Sequence, residues 1–470
     1  MRHMRPGHFF SEDYAVYLQE SLNILHGRPL AEMGIIYWFD PDLSLAGQSP
    51  FSYPILVPAL FALPVSVFGL DLEALKLFQA GIAVAGLAAA AAAMLKSGLT
   101  RPEVLTSLLL FALAPALARD ANTIGADLPF ILCQAVVLLA ALALQRAPTR
   151  AGALQAGTVL GVTLWLSIST RTVAVAFVPA IILADLVVHR RVRSMLLVPI
   201  FVAVALWFMQ SLLIGQGSSY GYIASYKFFD VAITARTLLW ALANMLQQLP
   251  VSTLATPIVM ALTTLAGVGV VVRAAVGCPI AWWLATYTAL LLVLPNFDAG
   301  TRYLVPHLVF GGAFAVRGTW TLLGMVPFRA PVRRAAALLP TLGFVGLCAL
   351  VPSWPPGALP FGARSPSSLE AFAHVKSSFA PEEIVAATAH RSFHLYSART
   401  TIRPPEAGDA TQMRAWLDRN AVAGLVLKHS ASLGRYDFTD CPASPACRVR
   451  AEDFGMSETF RNKDWVIWRR

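Results

Sequence analysis

The sequence predicts a polytopic α-helical membrane protein of about ten spans, followed by a small C-terminal extracytoplasmic α/β domain. Three observations carry that reading. Only 13% of the 470 residues are charged, where a soluble protein carries roughly a quarter. Mean hydropathy is +0.62, which excludes both a soluble enzyme and a disordered chain. The charges are also segregated: residues 365–470 hold 26 in 106 positions, whereas the 364 residues before them hold 36. The tail has the composition of a soluble domain, and the rest that of a bilayer-embedded one.

Residues 1–50 form a polar loop in which 14–26 read as a helix. Asp13 and Tyr17 are four apart and share one face of it. Gly27 is placed to cap its end. Residues 51–70 are apolar but contain Pro54, Pro58 and Pro64. Three prolines disfavour a straight spanning helix and favour a re-entrant or interfacial segment. Ten apolar runs follow, at 77–95, 104–118, 128–145, 151–168, 172–188, 194–214, 253–272, 279–295, 303–316 and 335–353. Several fall short of the ~20 residues of a perpendicular span. In the tail, 367–379 and 409–420 pattern as helices, and 383–387, 424–428 and 465–468 as strands. The domain reading is therefore a membrane domain over 1–353, with 1–76 as its first external loop, and an α/β domain over 365–470.

Basic residues mark every second loop: Lys96 and Arg101, Arg146 and Arg150, Arg190, Arg191 and Arg193, Arg273, then Arg317, Arg329, Arg333 and Arg334. Cytoplasmic loops carry that excess. The net charge of +10 is thus read as positive-inside loops and not as a nucleic-acid surface. The alternate loops and the tail are then extracytoplasmic, in a multi-pass protein of the cell (inner) membrane. An external start at residues 1–50 leads to the expectation of one further transmembrane helix ahead of Met1.

Acids are nearly absent from the apolar runs, and Asp185 falls at a basic end. They gather in the external loops instead: Glu12, Asp13, Asp40, Asp42, Asp120, Asp127 and Asp298, with Arg119, Arg171 and Arg302 on the same side. Acids and arginines together at a bilayer surface suit chemistry on a lipid headgroup or lipid phosphate; the alternative is loops that are merely polar. An ion-coupled carrier needs acids near the midplane. A non-catalytic carrier or an assembly subunit with an external docking domain is accordingly the second reading. Cys133, Cys278 and Cys348 lie in apolar runs as packing residues. Cys441 and Cys447 read either as a disulfide across a Pro-rich turn or as two free thiols. His390 and His394 read as surface histidines. No phosphate-binding loop, zinc spacing or dinucleotide fingerprint occurs.

The order of the external motifs adds a family. Asp13, Tyr17, Gly27 and Tyr53-Pro54-Ile55-Leu56 come first, then Pro115 and Asp127-Leu128-Pro129, then Arg302-Tyr303-Leu304-Val305-Pro306. This series resembles the GT-C glycosyltransferases, in particular the branch of dolichyl-phosphate-mannose protein mannosyltransferases and aminoarabinose transferases. The likeness covers about 10–310, with Ile55 where the family has a second proline. It implies transfer of a sugar from a polyprenyl-phosphate donor to a glycan, lipid or protein acceptor outside the membrane. By the resemblance, Asp13 is the general base, and Asp127 is a second acid holding the acceptor or a metal. Arg302 and Arg171 are phosphate-clamp residues, and Tyr17 and Tyr303 are substrate contacts. Asp13 and Asp127 also suit helix N-termini. The arginines also suit plain interfacial positions and the tyrosines packing. A divalent metal is possible on this reading, and Asp40 and Asp42 resemble a metal-binding pair as much as a Pro-containing turn.

Overall fold

The computed structural model describes residues 13–30, 35–36, 54–113, 122–214, 252–293, 303–326, 329–350, 362–404, 410–430, 435–436 and 451–470. A helical bundle forms first. Its helices are α3 (Leu72–Lys96), α4 (Arg101–Leu113), α5 (Asp127–Arg146), α6 (Arg150–Ile168), α7 (Phe177–His189), α8 (Leu197–Ile214), α9 (Ser252–Ala274), α10 (Pro279–Val293), α11 (Val305–Leu323) and α12 (Ala330–Leu350). Two helices precede it, α1 (Asp13–Leu25) and α2 (Leu56–Phe68). Among the described residues, five helical segments are long and apolar enough to cross a bilayer: Leu72–Lys96, Asp127–Arg146, Arg150–Ile168, Thr172–His189 and Ser194–Leu212. Leu56–Phe68, Met260–Ala274 and Pro279–Leu292 are apolar but shorter. On α8, Leu197, Phe201, Val204, Phe208 and Leu212 point outward in a stripe at helical spacing, the face a lipid tail would cover.

The bundle has two chemically different ends. At one, the last carbonyls of α3 have lost their helical partners and meet cations: the Arg146 guanidinium donates to the Lys96 carbonyl and that of Arg273 to Ser97. Arg317 pairs with Glu103 at 2.7 Å, and Arg193 Nε donates to Asp185 Oδ2 at 3.0 Å. The basic loops therefore collect at one end, and Asp185 belongs to it. At the other end, Asp71 caps α3 by accepting from the Glu73 and Ala74 amides at 2.9 and 3.3 Å. There Gln79 clamps the 122–126 segment, donating to the Thr123 carbonyl at 2.8 Å and accepting from the Gly125 amide at 2.9 Å.

Helix α2 occupies most of the proline-containing run 51–70. Pro58 falls in the first turn, where its missing N–H has no intrahelical duty, and only Pro64 lies inside. At about 1.5 Å per residue, its thirteen residues reach about 20 Å, short of the ~30 Å hydrocarbon core.

The tail contributes α13 (Pro366–Ser378), α14 (His390–Ser397) and α15 (Ala410–Arg419), with strands β2 (Ile384–Ala387), β3 (Thr400–Ile402), β4 (Val422–Ser430), β5 (Arg435–Tyr436), β6 (Ser457–Arg461) and β7 (Trp465–Arg469). The sheet does not end with the tail. Strand β1 (Ile35–Ile36), from the first loop, pairs in parallel with β3, giving the order β1-β3-β2-β4-β7-β6 with β5 on β4. The first four strands are parallel and β7 and β6 antiparallel. Alternation sorts the side chains: Val385, Ala387, Val426, Trp465 and Ile467 face α13, α14 and α1, whereas Ala386, Leu425, Leu427, Val466 and Trp468 face α15. His390 is buried and His394 half-buried against the Arg399 carbonyl at 2.8 Å, which corrects their reading as surface residues. The pair Cys441 and Cys447 lies outside the described residues.

Close packing in the bundle rests on glycine where α9 crosses α11. A Cβ on Gly269 would overlap the Phe314 carbonyl, and one on Gly318 the Leu265 carbonyl, so the two backbones touch. Gly267, one face away, has nothing within 4 Å. Gly269→Leu should therefore lower the melting midpoint of the purified protein by several degrees, the scale of the about 1–3 kcal/mol or more of overpacking, and Gly267→Leu should not. Equal midpoints would mean that α9 and α11 do not cross there.

Candidate active site

Helix α1 supplies the first part of the site. Gly27 turns left-handed (φ 63°) and the Arg28 amide donates to the Asn23 carbonyl at 2.8 Å, closing the helix as its sequence predicts. A surface helix buries one stripe. Here Tyr14, Ala15, Val16, Tyr17 and Leu18 are buried in succession, so α1 is covered on all sides. Tyr17 lies one turn beyond Asp13, in the packed cluster that α1 shares with α2, the start of α3 and the tail.

The covering is polar at the tip. Arg391, on α14, pairs with Asp13 at 3.2 Å, and the two side chains are 14% and 25% exposed. The adjacent residues repeat the contact: Tyr14 and Ser392 hydroxyls lie 3.0 Å apart. Burial, with Tyr396 nearby, pushes the Tyr14 hydroxyl well above the usual tyrosine range, and burial pushes Tyr396 up to about 12. Both stay neutral hydrogen-bonding groups at any physiological pH.

The second part comes from the bundle. Asp127 opens α5 and pairs with Arg171, which precedes the 3₁₀ turn Thr172–Ala176 leading into α7. Arg171 also lies over the Tyr303 ring, 4.4 Å from its centroid, and the Tyr287 hydroxyl donates to the Tyr303 carbonyl at 2.9 Å. Three residues that the sequence names separately thus form one contact set. Ile124 and Ala126, beside Asp127, belong to the same cluster as Tyr14 and Tyr17, which brings the two parts to one region. Glu12, Asp40, Asp42, Tyr53, Asp120, Asp298 and Arg302 lie outside the described residues.

Sequence reasoning missed Lys76. It sits one turn into α3, fully buried, within the fields of Glu73 and Arg364. Lysines are almost never buried to that degree unless paired. Arg364 in turn reaches Asp71, the cap of α3, at 3.6 Å, so the start of the tail leans on the same turn. Among the described residues no group of three or more His, Cys, Asp and Glu is placed to share a metal ion. The two carboxylates Asp13 and Asp127 each face a guanidinium, an arrangement suited to positioning an anion or a hydroxyl.

Comparison with known proteins bears on the fold. No family model matches the sequence, and no curated protein does. Solved structures match over nearly the whole chain. The crystal structure of ArnT from Cupriavidus metallidurans bound to undecaprenyl phosphate superposes with a TM-score of 0.60 at 11% identity, covering 99% of this chain and 95% of that one. The apo state of the same protein gives 0.56 at 12% identity with the same coverage. The Archaeoglobus fulgidus oligosaccharyltransferase, in complex with Zn and sulfate, gives 0.54 at 13% identity, over 90% of this chain and 64% of that one. Both proteins, the aminoarabinose transferase and the oligosaccharyltransferase, are members of the GT-C superfamily. The chain has their fold, as its motif order implies.

The Asp127–Arg171 side chains are only 15% and 10% exposed, unlike the surface pair Arg461–Glu458, which is worth at most about 1 kcal/mol. Removing one partner of a buried pair strands the other and costs about 3–5 kcal/mol. Arg171→Met should therefore melt lower than the double variant Asp127→Asn, Arg171→Met. Additive losses in thermal melts would show that the two charges are not coupled.

Proposed function

We propose that the chain is an integral-membrane glycosyltransferase that moves a sugar from a polyprenyl-phosphate donor to an acceptor at the extracytoplasmic face. The observation that carries the reading is that the chain neighbours of Asp13, Lys76 and Asp127, namely Tyr14, Leu75 and Ala126, pack in one cluster at the end of the bundle opposite the basic loops. The basic end belongs in the cytoplasm. The opposite end then faces a compartment without sugar nucleotides, where a lipid must deliver the sugar. The likeness to ArnT bound to undecaprenyl phosphate supports such a donor. On this reading about ten helices span the cell (inner) membrane and the sheet domain lies outside it.

The step needs two kinds of residue. As the acceptor oxygen bonds to the anomeric carbon, the bond from that carbon to the phosphate oxygen breaks. The acceptor proton passes to Asp13, and the electron pair leaves with the polyprenyl phosphate. The phosphate gains charge and needs cations in a site of low dielectric. Lys76 and Arg302 hold it, and Asp127 with Arg171 and Tyr303 orders the wall of the site. Tyr17 supports Asp13 from one turn behind. The sugar, hexosyl or pentosyl, and the acceptor, whether lipid, glycan or protein, are set by contacts beyond these residues, as is any use of a divalent metal.

The test offers radiolabelled undecaprenyl-phosphate glucose, mannose and aminoarabinose to purified protein in nanodiscs, with a membrane extract as acceptor. Asp13→Asn keeps the shape and loses the base, so turnover should fall by roughly 10²–10⁴-fold with little change in donor KM. Lys76→Met and Arg302→Ala should instead raise donor KM. Near-normal transfer by Asp13→Asn removes the base assignment, and an equal loss from Glu12→Gln moves that role to its neighbour. A wild-type protein that transfers none of the three sugars contradicts the reading as a whole.

A further inference from the structure

The tail touches the first loop at two separated places. At the start of α1, the residues Asp13 and Tyr14 meet Arg391 and Ser392 at 3.2 and 3.0 Å. Beyond α1, Ile35 and Ile36 pair with Thr401 and Ile402 of β3. The two tail elements involved are themselves bound together, since Thr401 Oγ1 donates to the His390 carbonyl at 2.8 Å. Helix α14 is also anchored from behind, with Phe393 edge-on to Trp465 at 5.0 Å and to Phe372 at 4.7 Å. Arg391 is thus carried on an element anchored to β3, the strand that also holds the residues beyond α1.

We infer that Arg391 is the positioning residue for Asp13, so that the tail completes the active site. The inference rests on the reading of Asp13 as the base. Asp13 stands in the first turn of α1 with its side chain 25% exposed, and the guanidinium on Oδ1 limits the rotamers its carboxylate adopts. A carboxylate has about four acceptor sites, so an arginine and a proton in transfer are compatible on one group. Misplacing a reacting group by about 1 Å costs on the order of 10²-fold in rate, which is what a positioning contact of this kind guards against. The tail sheet is then no optional acceptor module: its parallel edge and α14 together fix the loop that bears the base.

The experiment measures transfer from the undecaprenyl-phosphate sugars by the full chain in nanodiscs, for Arg391→Met, Arg391→Lys, Asp13→Asn and the double variant Asp13→Asn, Arg391→Met. A positioning role predicts that Arg391→Met lowers kcat by about 10²-fold with donor KM unchanged. Arg391→Lys, which keeps the charge without the planar fork, recovers part of the loss. In the Asp13→Asn background, Arg391→Met adds no further loss, since the group it orients is already disabled. Full turnover by Arg391→Met beside an inactive Asp13→Asn overturns the inference and leaves the base reading intact. So do losses that multiply in the double variant, or a rise in donor KM alone. Normal turnover by Asp13→Asn overturns the base reading, and the inference with it. Should Arg391→Met fail to fold, the Arg391→Lys comparison in the two Asp13 backgrounds decides by the same criteria.

Discussion

Everything at one end of this molecule depends on the burial of α1. Eight of its thirteen residues are buried, including a continuous run from Tyr14 to Leu18. A helix of that length is marginal in water and gains its stability from what covers it. Here the cover comes from three sources at once: α2 and the first turn of α3 from the bundle, Ile124 and Ala126 from the next loop, and Phe372, Phe393 and Trp465 from the tail. No one of these closes the cluster alone. The membrane bundle and the sheet domain therefore share a core, and the residues at its surface inherit their geometry from both.

That shared core also explains why charge is distributed as it is. Arginines at the opposite end of the bundle satisfy helix carbonyls and the isolated acids Glu103 and Asp185, so their charges are spent on fold and orientation. At the α1 end the pairs Asp13–Arg391 and Asp127–Arg171 join elements far apart in the chain, and a buried lysine stands close to the cap of α3. These pairs tie the first loop to the tail and the start of α5 to the segment ahead of α7.

Much of the fold was legible because the signals are local. Apolar runs give most of the bundle helices to within a few residues, α11 running on to Leu323 past the expected 316, and the Asp13–Tyr17 spacing with Gly27 gives α1 and its cap. The strands Ile384–Ala387, Val422–Ser430 and Trp465–Arg469 follow from hydrophobic clusters. What escaped is tertiary. Strand β1 is two residues long and has no pattern of its own; it exists because β3 offers an edge. Lys76, just ahead of the apolar run 77–95, looks like any lysine snorkelling at a membrane edge, and only its burial separates it. Arg391 is one arginine among many in the tail. Asp127 and Tyr303 were named from motifs and Arg171 from its external loop, yet their contact depends on how α5, α6 and α11 pack.

The central claim is that the α1 end of the bundle, roofed by the tail, is the place where a lipid phosphate binds. A cryo-EM structure of the full chain in nanodiscs loaded with undecaprenyl phosphate tests it most directly. The account predicts phosphate density within hydrogen-bond reach of Lys76, between the Asp13 and Asp127 sides of the site. Phosphate bound instead among the arginines of the opposite end, beside Arg146 and Arg273, would contradict it.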